Sequence, residues 1–264
     1  MQFLLVSDRV HVTKLGSVDS TNAELHRMIE SGTATDLTVV IAGEQTAGRG
    51  RQGRSWQSKP GAGIWTSILV DLGDCPCPTW LSLIAGLAIT RGVTAAGISE
   101  NAFSAPELKW PNDVIARDRK LAGILTEGVS GTSLYIVGMG INVSTEPFPG
   151  AIGLTELLAA TDTPLVARAV FEAVVTEFVA LIDGWRDADW DTEAIRAEYL
   201  SVCRSIGVDL GITEPDGTTW SGVGVGLDDS GHLLVQESGT TLTRTVIAAD
   251  VVHATIEPCT QRNS

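Results

Sequence analysis

The chain has 264 residues, 44% of them hydrophobic, and 18 Lys+Arg against 32 Asp+Glu give a formal net charge of −14. That length suits one large domain, or a domain with a small module, around a real core. The charge argues against a broad nucleic-acid or anionic-membrane surface, no apolar run is long enough to span a bilayer, and the first residues are too briefly apolar for a signal peptide, so a cytoplasmic protein is expected.

In chain order, residues 11–15 predict a short strand. The stretch 16–22 is dense in side chains that bond the backbone. Asp19 or Ser20 can cap a helix over 22–31, apolar at Leu25, Met28 and Ile29 and ended by Gly32. Capping accounts for Ser20, Thr21 and Asn22, while the donor-rich start of the helix leaves a ligand role open.

A buried strand over 37–42 leads through Gln45 into Gly48-Arg49-Gly50-Arg51-Gln52-Gly53-Arg54-Ser55-Trp56. Three arginines among three glycines, in an acidic chain, answer to an anion. Glycine lets the backbone lie against a ligand, and the guanidinium fork suits phosphate or carboxylate oxygens. A solvated segment that contacts RNA is the alternative. The run nearly matches a P-loop, but the lysine is absent and 59–63 breaks helices where a helix should follow.

Residues 64–72 predict a strand, and 79–97 a helix apolar enough to pack across a sheet. Leu108, Lys109 and Trp110 end a strand that Pro111 stops, and Asn112-Asp113 is turn chemistry. Lys109 is either an ordinary exposed lysine or a fixed point charge for a phosphate or oxyanion. Asn112 and Asp113 can hold Mg²⁺ or orient neighbours, with turn-making as their default. Strands over 114–116, 120–127 and 133–143, with Asp118-Arg119 at one tip and Gly131 at the next, predict antiparallel pairing. Gly138 and Gly140 inside a strand mark either a close approach or a bulge.

Helices are predicted over 155–160, 164–183 and 189–200. From 205 the texture changes to short strands over 208–212, 219–225, 232–236 and 243–247, with turns at 214–217 and 228–231. They read as a small barrel of SH3 type. The class is therefore α+β, a mixed and largely antiparallel sheet flanked by helices, divided into 1–204 and 205–264.

Cys75, Cys77, Cys203 and Cys259 read as reduced thiols, because Cys75-Pro76-Cys77 has neither zinc nor redox spacing. No resident metal site is expected. His11, His26, His232 and His253 are scattered and read as structural or exposed. The cationic set suits chemistry at phosphorus, where positioning and electrostatics dominate.

Taken together and in order, the loop 48–56, Lys109-Trp110-Pro111-Asn112-Asp113, the run 120–125 (KLAGIL) and the run 138–143 (GMGINV) closely resemble biotin protein ligases. Ser20-Thr21-Asn22 and Gln45 fall where that family's pattern has them, and the resemblance covers nearly the whole chain. It implies a class II aminoacyl-tRNA-synthetase-like catalytic domain with a C-terminal SH3-like barrel. The implied reaction has two steps: biotin and ATP give biotinyl-5′-AMP, then a lysine of a biotin carboxyl carrier domain takes the biotin. The implied biotin site is Ser20, Thr21, Asn22, Gln45, Arg49, Gly50, Arg51, Lys109, Gly123, Gly138 and Gly140. The implied nucleotide site is Arg51, Arg54, Trp56, Lys109, Asn112 and Asn142, with Lys109, Arg51 and Arg49 catalytic. Mg²⁺ enters with ATP, nucleic acid and membrane are not expected partners, and exposed sheet edges permit a homodimer.

The loop over 43–60 is expected to be mobile when empty and ordered over the adenylate. Two departures from the family stand out. The biotin motif starts about Ser17, leaving no room for the helix-turn-helix of the repressor members, so an enzyme alone is expected. Residues 250–255 lack the arginine that members often place beside the nucleotide, which leaves the barrel's part in ATP binding open. A lipoate ligase and an RNA-binding protein are the alternatives.

Overall fold

Apolar stretches separated by turn residues build one sheet from β1 (His11–Val18), β2 (Thr38–Gln45), β3 (Gly63–Asp71), β4 (Glu107–Lys109), β5 (Asp113–Ala116), β6 (Arg119–Gly128) and β7 (Leu134–Asn142). The spatial order is β1-β2-β3-β7-β6-β5-β4. Only β1–β2 is parallel; the other ladders are antiparallel. The computed structural model describes residues 8–56, 58–96, 105–144, 150–158, 162–247 and 250–253.

Alternation decides which face does what. In β7, Val137, Met139 and Ile141 point to the helices and join the main core, while Ile136, Gly138 and Gly140 point the other way. The core face is covered by α2 (Trp80–Ala95) and α4 (Thr163–Asp187). α2 is apolar on nearly every side, as a helix sandwiched between a sheet and another helix must be. On the opposite face lies α1 (Thr21–Glu30), whose Leu25 packs on Val40, Leu69 and Ile136. The rest of that face is left to the site described below.

Several boundaries differ from expectation, each for a local reason. The first hairpin tip is Arg117-Asp118, both at positive φ, so Arg119 already belongs to β6. α4 runs on to Asp187 because Trp185, buried to 1% exposure, extends its apolar stripe past Asp183. Asp189 and Trp190 adopt positive φ and end it, so the next helix is α5 (Glu193–Val202) and does not begin at Asp189. The short helix is α3 (Leu154–Leu157). Residues 97, 160, 255 and Cys259, which carried expectations, lie outside the described residues.

The C-terminal segment forms a five-stranded antiparallel sheet of β8 (Asp209–Thr213), β9 (Thr219–Leu227), β10 (Leu233–Glu237), β11 (Thr243–Val246) and β12 (Asp250–His253), ordered β11-β10-β9-β8-β12. β12 was not anticipated. Among the described residues no ladder joins β11 to β12. Leu210, Ile212, Leu233 and Val235 continue the main core without a break. The 228–231 turn is clamped to the large sheet's layer: Trp80 Nε1 donates to Asp229 O at 2.8 Å and Trp110 Nε1 to Gly231 O at 3.0 Å.

Gly92 lets α2 and α4 touch backbone to backbone. A Cβ there would lie 2.6 Å from a Val174 methyl and 2.7 Å from its backbone nitrogen. Overpacking of this kind costs about 1–3 kcal/mol. Gly92→Val should lower the unfolding free energy by about that amount in urea titration, and an unchanged midpoint would show that the helices part freely.

Candidate active site

Strand register lays the site out in rows. Directly paired residues share a face, so Lys109, Asp113, Gly123, Gly140 and Trp65 form one row across β4, β5, β6, β7 and β3. Leu125, Gly138 and Ser67 form the next. The glycines remove the side chains where the rows cross the sheet centre, and each vacancy is filled from above. A Cβ at Gly140 or Gly123 would lie 2.8 Å from the Trp56 indole, and one at Gly138 would lie 2.4 Å from Asn22 Oδ1. The ladder through Gly138 and Gly140 is regular, so these glycines mark a close approach and not a bulge.

The arginine loop is folded as a hairpin over this floor. Gln45 and Ser58 form a bridge, Arg49 and Ser55 another, Trp56 N donates to Gly48 O at 2.8 Å, and Gly50 N donates to Arg54 O at 2.7 Å. A 3-10 turn, Arg51–Gly53, closes the tip, with Gly53 at φ 73°. No helix follows, which removes the P-loop reading. Trp56 leaves the hairpin to lie on the glycine floor, edge-on to Trp65 with centroids 6.2 Å apart. Lys120 Nζ stands 5.2 Å over the same indole and bonds Asp113 Oδ1 at 2.7 Å.

At the other end, polar groups interlock. Ser20 is the N-cap residue of α1, yet its side chain makes no cap hydrogen bond; Asp19 Oδ1 instead takes the Ser20 N–H at 2.8 Å. Hydrogen bonds from Arg27 and from that N–H hold the Asp19 carboxyl down at about 2. Gln45 Oε1 accepts from Thr21 N at 2.8 Å and Thr21 Oγ1 at 3.1 Å. Ser67 Oγ lies 2.7 Å from Thr21 Oγ1 and 2.5 Å from Asn22 Oδ1. Asn22 Nδ2 donates to Glu127 at 2.6 Å. Ser20, Thr21, Asn22 and Ser67 are all buried.

Between these ends lies a cavity of about 550 Å³. Five cations line it, Arg49, Arg51, Arg54, Lys109 and Lys120, against one carboxylate, Asp113, which already pairs with Lys120. In a chain of net charge −14, that local excess points to an anionic ligand. No group of three or more metal-ligating side chains exists among the described residues.

A model of the biotin/lipoate A/B protein ligase family matches residues 15–144. A biotin–[acetyl-CoA-carboxylase] ligase of Mycobacterium tuberculosis is 38% identical over 240 residues, covering 89% of this chain and 85% of that protein. This chain belongs to the biotin protein ligase family. A bifunctional ligase/repressor, BirA of Bacillus subtilis, is 31% identical over 230 residues, covering 83% of this chain and 67% of that one. The fold agrees with a solved biotin protein ligase of Aquifex aeolicus, in complex with biotin and ATP, at a TM-score of 0.76 and 24% identity, over 92% of this chain and 99% of that one.

The ligase-family residues anticipated from the sequence converge on the cavity wall: Ser20, Thr21, Asn22, Gln45, Arg49, Gly50, Arg51, Arg54, Trp56, Lys109, Asn112, Gly123, Gly138 and Gly140. Asn142 is not on that wall; it is buried, with Nδ2 donating to Lys120 O at 3.1 Å. Asn112 does two jobs, donating to Ile124 O at 2.9 Å and accepting from Arg51 at 3.2 Å. It thereby ties an arginine of the hairpin to the sheet. Lys120, Ser67 and Val251 and Val252 of β12 were given no role from sequence. Lys120 sat in plain view inside the 120–125 run, two residues from the end of a hairpin turn. Ser67 carried no signal beside Thr66 in a largely apolar strand.

Gly140→Ala puts a methyl where the Trp56 ring lies. The ring should lift, raising acrylamide quenching of tryptophan fluorescence, and the same change in a Trp56→Phe background should add nothing. Equal quenching in wild type and Gly140→Ala would mean the floor tolerates a side chain.

Proposed function

We propose that this chain is an ATP-dependent biotin–protein ligase, which makes biotinyl-5′-AMP and transfers biotin to a lysine of a carboxylase carrier domain. The observation that carries the reading is one cavity that joins an interlocked polar end, a side-chain-free floor and a cluster of five cations. Family membership and the named relatives support it.

The chemistry follows from charge. In the first step a biotin carboxylate oxygen bonds the α-phosphorus of ATP, the bond to the β-phosphate oxygen breaks, and pyrophosphate leaves. Both reactants are anions, so their approach costs Coulomb energy that fixed cations offset. Arg49, Arg51 and Lys109 serve the carboxylate and α-phosphate, and Arg54 serves the nucleotide's further phosphates. Mg²⁺ carried in with ATP would supply further screening of those phosphates. Ser20, Thr21 and Gln45 offer donors and acceptors for the ureido group, a flat unit that presents one carbonyl and two N–H groups. Once Trp56 moves aside, the floor at Gly123, Gly138 and Gly140 admits the bicyclic ring, and Trp56 then packs against the intermediate.

In the second step the carrier's neutral lysine amine attacks the acyl carbon, a C–N bond forms, the nitrogen releases one proton to solvent, and AMP leaves with the C–O bonding electrons. The hairpin over 43–60 shields the mixed anhydride from water until then. The 1–204 segment carries the chemistry, and the 205–264 segment backs its edge strand.

Biotin-dependent exchange of pyrophosphate into ATP tests the reading. Wild type should exchange with biotin and not with lipoate. Lys109→Ala should lose about 10²-fold in rate while melting normally. A Lys109→Ala rate equal to wild type would remove Lys109 from the catalytic set.

A further inference from the structure

The edge strand that carries Lys109 is stitched from outside by the chain entering the C-terminal sheet. Leu108 and Cys203 form a parallel bridge, and Arg204 N donates to Leu108 O at 2.8 Å. One residue on, the Trp110 N–H, immediately after Lys109, donates to Ser205 Oγ at 3.2 Å. Ser205 is fully buried, and its Oγ lies 3.0 Å from His253 Nε2 on β12. The neighbours of His253 in β12, Val251 and Val252, line the cavity. The last described strand therefore reaches the backbone of Lys109 through two side chains.

We propose that His253 is a positioning residue: with Ser205 it forms a relay, Trp110 N–H to Ser205 Oγ–H to His253 Nε2, that fixes the Lys109 segment for adenylate formation. The inference rests on the ligase reading above and deepens it.

In this relay Ser205 Oγ accepts from Trp110 on one lone pair and gives its single proton to His253 Nε2. That arrangement calls for a neutral imidazole protonated on Nδ1. The surroundings favour it: burial first, then the nearby charges of Lys109 and Arg204, hold His253 below the usual imidazole range. Arg204 is itself paired with Glu107 and Asp118. An apolar replacement at 253 leaves the buried Ser205 hydroxyl only the Cys203 thiol, a weak acceptor, and the strain falls on the residue beside Lys109.

A double-mutant cycle on the whole chain separates positioning from plain stability. His253→Leu should lower the kcat of biotin-dependent exchange about tenfold. His253→Gln, which places an acceptor where Nε2 was, should restore most of the rate. In Lys109→Ala, assayed with radiolabelled pyrophosphate, His253→Leu should cost nothing more. The same tenfold loss in both backgrounds, no loss in either, or failure of glutamine to rescue would each overturn the proposal. Absence of biotin-dependent exchange in wild type would instead overturn the ligase reading, and this inference with it.

Discussion

Two anions have to be brought within bonding distance inside a molecule that is itself anionic. At about 4 Å, like unit charges repel by roughly 4 kcal/mol at an effective dielectric of 20. A triphosphate multiplies that figure. The cavity meets this constraint by gathering Arg49, Arg51, Arg54, Lys109 and Lys120 around one space. Three of the five ride on a hairpin, so much of the positive charge depends on how that hairpin is pinned to the sheet. The Arg51–Asn112 bond is one such pin and the Trp56 contact with the glycine floor is another.

The rest of the architecture serves to place those charges. Alternation in β7 gives one face to a thick helical layer and leaves the other bare at Gly138 and Gly140. Lys109 and Asp113 face each other in the β4–β5 ladder, at one end of the row that crosses those glycines. The polar cluster at the start of α1 closes the neighbouring row through Ser67. An edge strand only three residues long carries Lys109, so its geometry has to be backed from elsewhere. The chain entering the C-terminal sheet supplies that backing at 203–205, and the sheet's 228–231 turn adds to it.

Much of this was legible in the chain, and the legible parts share a cause. Arginines alternating with glycines, a lysine before Trp110-Pro111, and two glycines inside an apolar strand each break a local rule for which folding alone gives no reason. The α+β class followed from strands separated only by turns. What escaped detection was tertiary. Ser67 and Ser205 are single hydroxyls whose partners lie 46 and 95 residues away. β12 is a four-residue strand, too short for its alternation to register. The start of α5 was misjudged because Asp189 and Trp190 take positive φ, a conformation that bulky residues adopt only where surrounding packing compels it. His253 looked idle because its role depends on Ser205.

The hairpin's charge permits the two anions to meet. Single-turnover formation of biotinyl-5′-AMP tests it most directly, comparing wild type with a variant carrying Arg49→Gln, Arg51→Gln and Arg54→Gln, both saturated with biotin and MgATP. The account predicts that the variant retains its fold but forms adenylate at least about 10²-fold more slowly. Equal rates of adenylate formation in the two proteins would contradict it.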